Sequence, residues 1–160
     1  MYTTENDLSE TARTEMIKIC NARLAEGVDL QMQCKYAHWN VKGPNFIALH
    51  ELFDQVNDDV EDNVDLIAER AVQLGGIADW TTHVVATWEH LAEYNARSAS
   101  EHDYVQTLAS ALKSFGKTTR QAIYKSNELN DVVSADIFTE ISRGVDKWLW
   151  MVEAHLQVQP

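Results

Sequence analysis

Helix breakers are scarce in this chain, and their placement constrains the fold more than any other feature. The only prolines are Pro44 and Pro160, and there are six glycines. Long stretches free of both can satisfy their backbone N–H and C=O groups within helices, so an all-α fold is expected. Four long helices can be read. The first runs from about Ser9 to Asn40, with apolar Met16, Ile17, Leu24 and Val28 at helical spacing, and Gly43-Pro44 ends it. Asn45 is placed to cap a second helix that reaches Leu74, where Gly75-Gly76 stops it. Residues 77–99 form the longest irregular stretch, with a short helix expected near Thr82–Trp88. Ser100 with Asp103 caps a third helix to about Asn127, and Asp131 caps a fourth that ends near Gln157. The pattern predicts a single domain over 1–160, with 1–8 as a flexible tail. It is a four-helix bundle whose long middle connection crosses between the second and third helices in the ferritin-like way.

The hydrophobic fraction of 45% and the charged fraction of 24% are those of an ordinary globular chain. With 25 acidic against 13 basic side chains the net charge is −12. Such a surface repels phosphate backbones and attracts cations. Residues 1–10 carry three acids and no Lys or Arg, so no basic arm is present there. No apolar signal region and no run of about 18 apolar residues is found, and a cytoplasmic protein with no membrane partner is expected. Cys20 and Cys34, on one helix and roughly 21 Å apart in rise, cannot bridge each other and read as reduced, buried thiols.

The second helix carries the chemistry. His50 and Asp54 are four residues apart, as are Asp65 and Glu69. Taking His50 as zero at 100° per residue, the other three fall near about 40°, 60° and 100°, on one side of the helix. Phe46, Leu49, Phe53 and Val72 interleave with them, which predicts a partly buried apolar setting. Burying so many ionisable groups is costly unless a cation or partner compensates them. Asp54 and Asp65 are about 16 Å apart along the helix, too far to share an ion within one chain. The numbering offers another route, because 50 and 69 have the same sum, 119, as 54 and 65. Antiparallel pairing of this helix with its own copy, centred between residues 59 and 60, would set His50 opposite Glu69 and Asp54 opposite Asp65. Two identical sites would then lie across an isologous dimer. His38, near the end of the first helix, is the natural further ligand. Two imidazoles and three carboxylates suit Fe²⁺, Mn²⁺ or Zn²⁺ better than Ca²⁺ or Mg²⁺, and the donor set alone does not choose iron. Taken singly, each acid reads more readily as part of a solvated face, since Asp58, Asp59, Glu61 and Asp62 share the helix. Spacing alone leaves both readings open.

A resemblance bears on that choice. From His38 the sequence runs H-W-N-V-K-G-P-N-F-I-A-L-H-E-L-F-D, and after ten residues D-L-I-A-E-R-A-V-Q-L-G-G, ending at Gly76. Ala135 to His155 reads A-D-I-F-T-E-I-S-R-G-V-D-K-W-L-W-M-V-E-A-H. Both stretches closely resemble the Dps family of mini-ferritins. The resemblance implies an intersubunit ferroxidase centre with His38, His50 and Asp54 from one subunit and Asp65 and Glu69 from its mate. Trp39 would stand beside the centre, and Lys35 would have a supporting role. It further implies a shell of twelve subunits that takes up two Fe²⁺ per centre and oxidises them, with hydrogen peroxide preferred over O₂. Ferric mineral would be held in the cavity, and zinc could substitute at the centre. The absence of any Glu-x-x-His pair argues against a site inside one bundle.

Two features depart from the family pattern. No Lys-rich tail is present, and twelve copies at −12 each would carry −144, so DNA binding is not expected. The middle of the third helix carries Lys113, Lys117 and Arg120 rather than an acidic pore lining. Asp131, Asp136 and Asp146 read as caps or ion pairs, and the entry route for iron is unassigned. His83, His90, His102 and His155 read as surface or packing residues, and Trp80, Trp88, Trp148 and Trp150 as packing. A nucleoid-binding shell with little ferroxidase activity and a purely structural bundle are the competing functions.

Overall fold

The computed structural model describes residues 1–81 and 100–157. Its helices are α1 (Glu10–Asn40), α2 (Phe46–Gln73), α3 (Glu101–Glu128) and α4 (Val132–Glu153), and no strand occurs among the described residues. The expected short helix at Thr82–Trp88 lies outside them.

Two of the three expected caps, Ser100 and Asp131, form as read, and Ser9 caps α1 as well. The Ser9 hydroxyl accepts from the Ala12 N–H, and Asp131 accepts from Ser134. Ser100 and Asp103 form a reciprocal capping box, in which the Ser100 N–H and hydroxyl both hold the Asp103 carboxyl below its ordinary range. The exception is α2. Asn45 occupies the N-cap position, but its side chain makes no cap bond and donates instead to Glu101. At the other end, α4 stops at Glu153 rather than Gln157. There the chain tightens into turns, with His155 donating to the Val152 carbonyl and Leu156 to Glu153.

α1 packs chiefly on α2 and α3 on α4, while α1–α3 and α2–α4 contacts close the bundle. Contacts at the ends fix the topology. Glu101, the first residue of α3, meets the turn before α2, whereas the Gly75 carbonyl just after α2 accepts from Tyr2 before α1. α2 therefore ends at one end of the bundle and α3 begins at the other, which is the ferritin-like arrangement of the four helices. Phe53, Phe115, Phe138, Met16 and Leu24 fill the centre with no exposure above 1%. Arg70 near the end of α2 is buried, donating from Nη2 to Asp131 at 2.7 Å and from Nε to Ser134 at 2.8 Å. This pairing ties α2 to the α3–α4 turn. The N-terminal segment lies against the molecule at Tyr2, whose N–H donates to the Gly75 carbonyl at 2.7 Å. Gly75 has φ +85°, and a Cβ there would come within 2.7 Å of the Tyr2 carbonyl oxygen.

Candidate metal centre

The end of α1 and the start of α2 face each other across residues 41–45, which brings His38 and His50 together. Their rings stack with centroids 3.7 Å apart and planes 22° from parallel. His38 Nδ1 is 2.8 Å from the His50 carbonyl oxygen, and His50 Nδ1 is 2.9 Å from that of His38. A carbonyl can only accept, so both Nδ1 atoms carry the hydrogen in the neutral rings. Each Nε2 is then left with its lone pair. The reciprocal bonds thus fix both histidines in a tautomer that can ligate a metal, as outer partners of metal-binding histidines do. They also serve the helix end, because the His38 carbonyl lies in the last turn of α1, where carbonyls lack intrahelical donors. The Phe46 ring lies 5.1 Å from that of His50 and flanks the pair on one side.

Asp54 follows one turn further along α2. Its Oδ1 is 3.8 Å from His38 Nδ1 and accepts a hydrogen bond from Lys35 Nζ. The Lys35 ammonium, chiefly through that bond, holds the Asp54 carboxyl below its ordinary range and is itself pushed up by Asp54. Asp54 is 42% exposed, so the pair is screened by solvent and its strength is modest. His38, His50, Asp54 and Lys35 therefore form one cluster within the chain.

Asp65 and Glu69 do not join it. Both are exposed on α2, beyond the cluster by three or four turns. Among the described residues no group of three or more His, Cys, Asp or Glu side chains could hold an ion within one chain. The apolar setting expected for the four helix residues is uneven. Leu49 and Phe53 are buried in the core, while Phe46 and Val72 are exposed beside the acids. Trp39 is no core aromatic, being 69% exposed next to His38. The donor types that the cluster presents, two imidazoles with free Nε2 and one carboxylate, fit Fe²⁺ or Zn²⁺ but make an incomplete shell.

The residues set aside from the site divide similarly. Trp148 is buried and donates to Asp59, with Lys147 Nζ over its ring at 4.3 Å, whereas Trp80 and Trp150 are exposed rather than packed. Asp131 caps α4 and pairs with Arg70, and Asp146 pairs with Arg120 at 2.8 Å. His102 and His155 are exposed; His83, His90 and Trp88 lie outside the described residues. Sequence reasoning missed Glu101, whose carboxylate reaches the turn that joins the two histidines. Its one sequence signal is Gly43, where a side chain would collide with it.

A four-helix bundle whose second helix ends and third helix begins at opposite ends, carrying histidines and carboxylates on its paired helices, is the arrangement of a ferritin-like protein. Accordingly, the family model of the ferritin-like domain matches residues 17–159. A DNA protection during starvation protein of Agrobacterium fabrum is 42% identical over 156 residues, which cover 98% of this chain and 96% of that protein. One of the same name from Mycolicibacterium smegmatis is 29% identical over 153 residues, covering 94% and 81%. DpsA14 from Streptomyces coelicolor superposes with a TM-score of 0.92 at 29% identity, over 98% of this chain and 92% of that one. The chain belongs to the Dps family of mini-ferritins.

Proposed function

We propose that this protein oxidises Fe²⁺ and stores the ferric product, with His38, His50 and Asp54 of one subunit and Asp65 and Glu69 of another forming each centre. The observation that carries this reading is the reciprocal bonding of His38 and His50. It leaves both Nε2 atoms with a lone pair on rings that cluster with Asp54, and leaves the chain's other two candidate carboxylates outside the cluster. Antiparallel pairing of α2 about residues 59 and 60 supplies those carboxylates from the mate. Exposed Trp39, Phe46, Ile47 and Val72 lie near the same sites, and pairing would cover apolar surface that a lone chain leaves wet. A dodecameric shell, as the family resemblance implies, would enclose the mineral.

The chemistry follows from holding two Fe²⁺ together. Each gives one electron to hydrogen peroxide, the O–O bond breaks, and with two protons the oxygen leaves as two waters. A two-electron reduction releases no hydroxyl radical. O₂ is the slower oxidant in this scheme, and Zn²⁺ competes for the same donors. Lys35 neutralises the Asp54 carboxylate until an arriving cation displaces the ammonium. The relatives' name, DNA protection during starvation, is then explained by removal of iron and peroxide. Direct binding of DNA is disfavoured by the net charge of −12 and by the absence of Lys and Arg from residues 1–10.

Anaerobic loading with Fe²⁺, followed by peroxide or O₂ and monitored by ferric absorbance, tests the proposal. Fast peroxide-driven oxidation by a large particle is expected, and His50→Ala combined with Asp65→Ala should lower the rate by about 100-fold or more. Oxidation no faster than in buffer would remove the ferroxidase reading. A mobility shift of DNA at stated salt would then decide for a nucleoid-binding shell.

A further inference from the structure

Glu101 stands where α3 begins, far from the candidate ligands in sequence, yet its carboxylate ends on the α1–α2 turn. Oε1 accepts from Asn45 Nδ2 at 2.6 Å and Oε2 from the Asn45 backbone N–H at 3.3 Å. Asn45 makes no cap bond of its own, so Glu101 supplies the negative group at the start of α2 that the helix otherwise lacks. The carboxylate lies close against the turn. Gly43 has φ +147°, and a Cβ on it would lie 2.0 Å from Glu101 Oε2. Glu101 is itself held firmly. Its neighbours Ser100 and Asp103 close a capping box, with Asp103 Oδ2 accepting from the Ser100 N–H at 2.8 Å and Ser100 Oγ from the Asp103 N–H at 3.3 Å. The first turn of α3 is therefore a rigid mount.

What it mounts is the short segment that joins the histidines. His38 lies three residues before Val41, and His50 lies five after Asn45, roughly 7–8 Å along α2. Their reciprocal bonds at 2.8 and 2.9 Å need the two helix ends at one separation, because each ring must reach the other's carbonyl. The histidines bridge this turn on one side, and Glu101 clamps it from α3.

We infer that Glu101 is a positioning residue for the histidine pair: its carboxylate, fixed by α3, holds residues 43–45 and so the separation at which His38 and His50 lock each other's tautomer. The inference rests on the metal-centre reading for its purpose, though not for its geometry.

The test uses the full-length, metal-free protein labelled with ¹⁵N-histidine. In the wild type the His38 and His50 imidazoles give the signature of a hydrogen on Nδ1 and a bare Nε2. Glu101→Ala is expected to replace that signature by mixed tautomers and to weaken Co²⁺ binding by about tenfold, the low end for an outer partner of a metal-binding histidine. Glu101→Gln, which keeps one acceptor for Asn45, should restore most of both. If Glu101→Ala does not fold, Asn45→Ala removes the shorter of the two bonds, leaving the backbone N–H to Oε2, and a smaller shift in the same direction is expected. Unchanged imidazole signals and Co²⁺ affinity in a folded Glu101→Ala or Asn45→Ala protein would overturn the inference. Wild-type protein that binds no Co²⁺ would instead sink the metal reading, while the metal-free imidazole signals still decide the role of Glu101.

Discussion

The Lys35–Asp54 pair shows how one side chain can both prepare and oppose a metal site. The ammonium hydrogen-bonds the carboxylate and holds it in place, and it must also be displaced before a cation can use that oxygen. Lys35→Met removes the competitor and keeps the stem's bulk. Affinity for Co²⁺ or Zn²⁺ near neutral pH should rise by about two- to fivefold, the scale of a partly exposed ion pair, and calorimetric titration reads it. A fall in affinity would mean that Lys35 mainly organises the site. The five candidate ligands could be named from the sequence because their spacing and the Dps-like motif act together. The tautomer lock could not, because it is made with backbone carbonyls, and no residue type announces which carbonyl an imidazole will find. Lys35 lay in between. Its place near the motif was visible, but its bond to Asp54 depends on how α1 and α2 are rotated against each other.

Among the elements, the helix ends were the most legible and the contacts between ends the least. Ser9, Ser100 and Asp131 cap as their residue types predict, because a cap is a local bargain between a side chain and the next turn. Asn45 does not, since Glu101, 56 residues away, offers its amide a charged acceptor. The same holds for Arg70 and Asp131, whose buried pairing joins α2 to the start of α4 and has no signal in periodicity. Each is at most 6% exposed in its side chain, so removing one partner strands a charge in the interior. Asp131→Ala should therefore lower unfolding stability by about 3–5 kcal/mol, well beyond the ~1 kcal/mol of a lost helix cap. Urea denaturation measures it, and a loss near 1 kcal/mol would show that water reaches Arg70 once Asp131 is gone.

At the scale of the whole molecule, the proposed pairing through the acidic face of α2 would make assembly and cation binding one equilibrium. Exposed Asp58, Glu61, Asp62, Asp65 and Glu69 repel their copies across the proposed two-fold, and ions held by ligands from both chains would offset that. Sedimentation at low protein concentration should show larger assemblies with Co²⁺ than with chelator, the difference shrinking in Asp65→Ala. Identical profiles in both conditions would place the driving force for pairing in the apolar surface alone. The sequence could suggest this face but not its surroundings, because exposed Trp39, Ile47, Trp80 and Trp150 look like core residues until the packing is known. The two cysteines behave in the opposite manner. Cys20 and Cys34 are fully buried, and burial pushes both thiols up to about 12. At neutral pH both positions therefore stay in the unreactive thiol form. Under the proposed function, an oxidant would be consumed while these two thiols, buried and held in the protonated form, offer it little to attack.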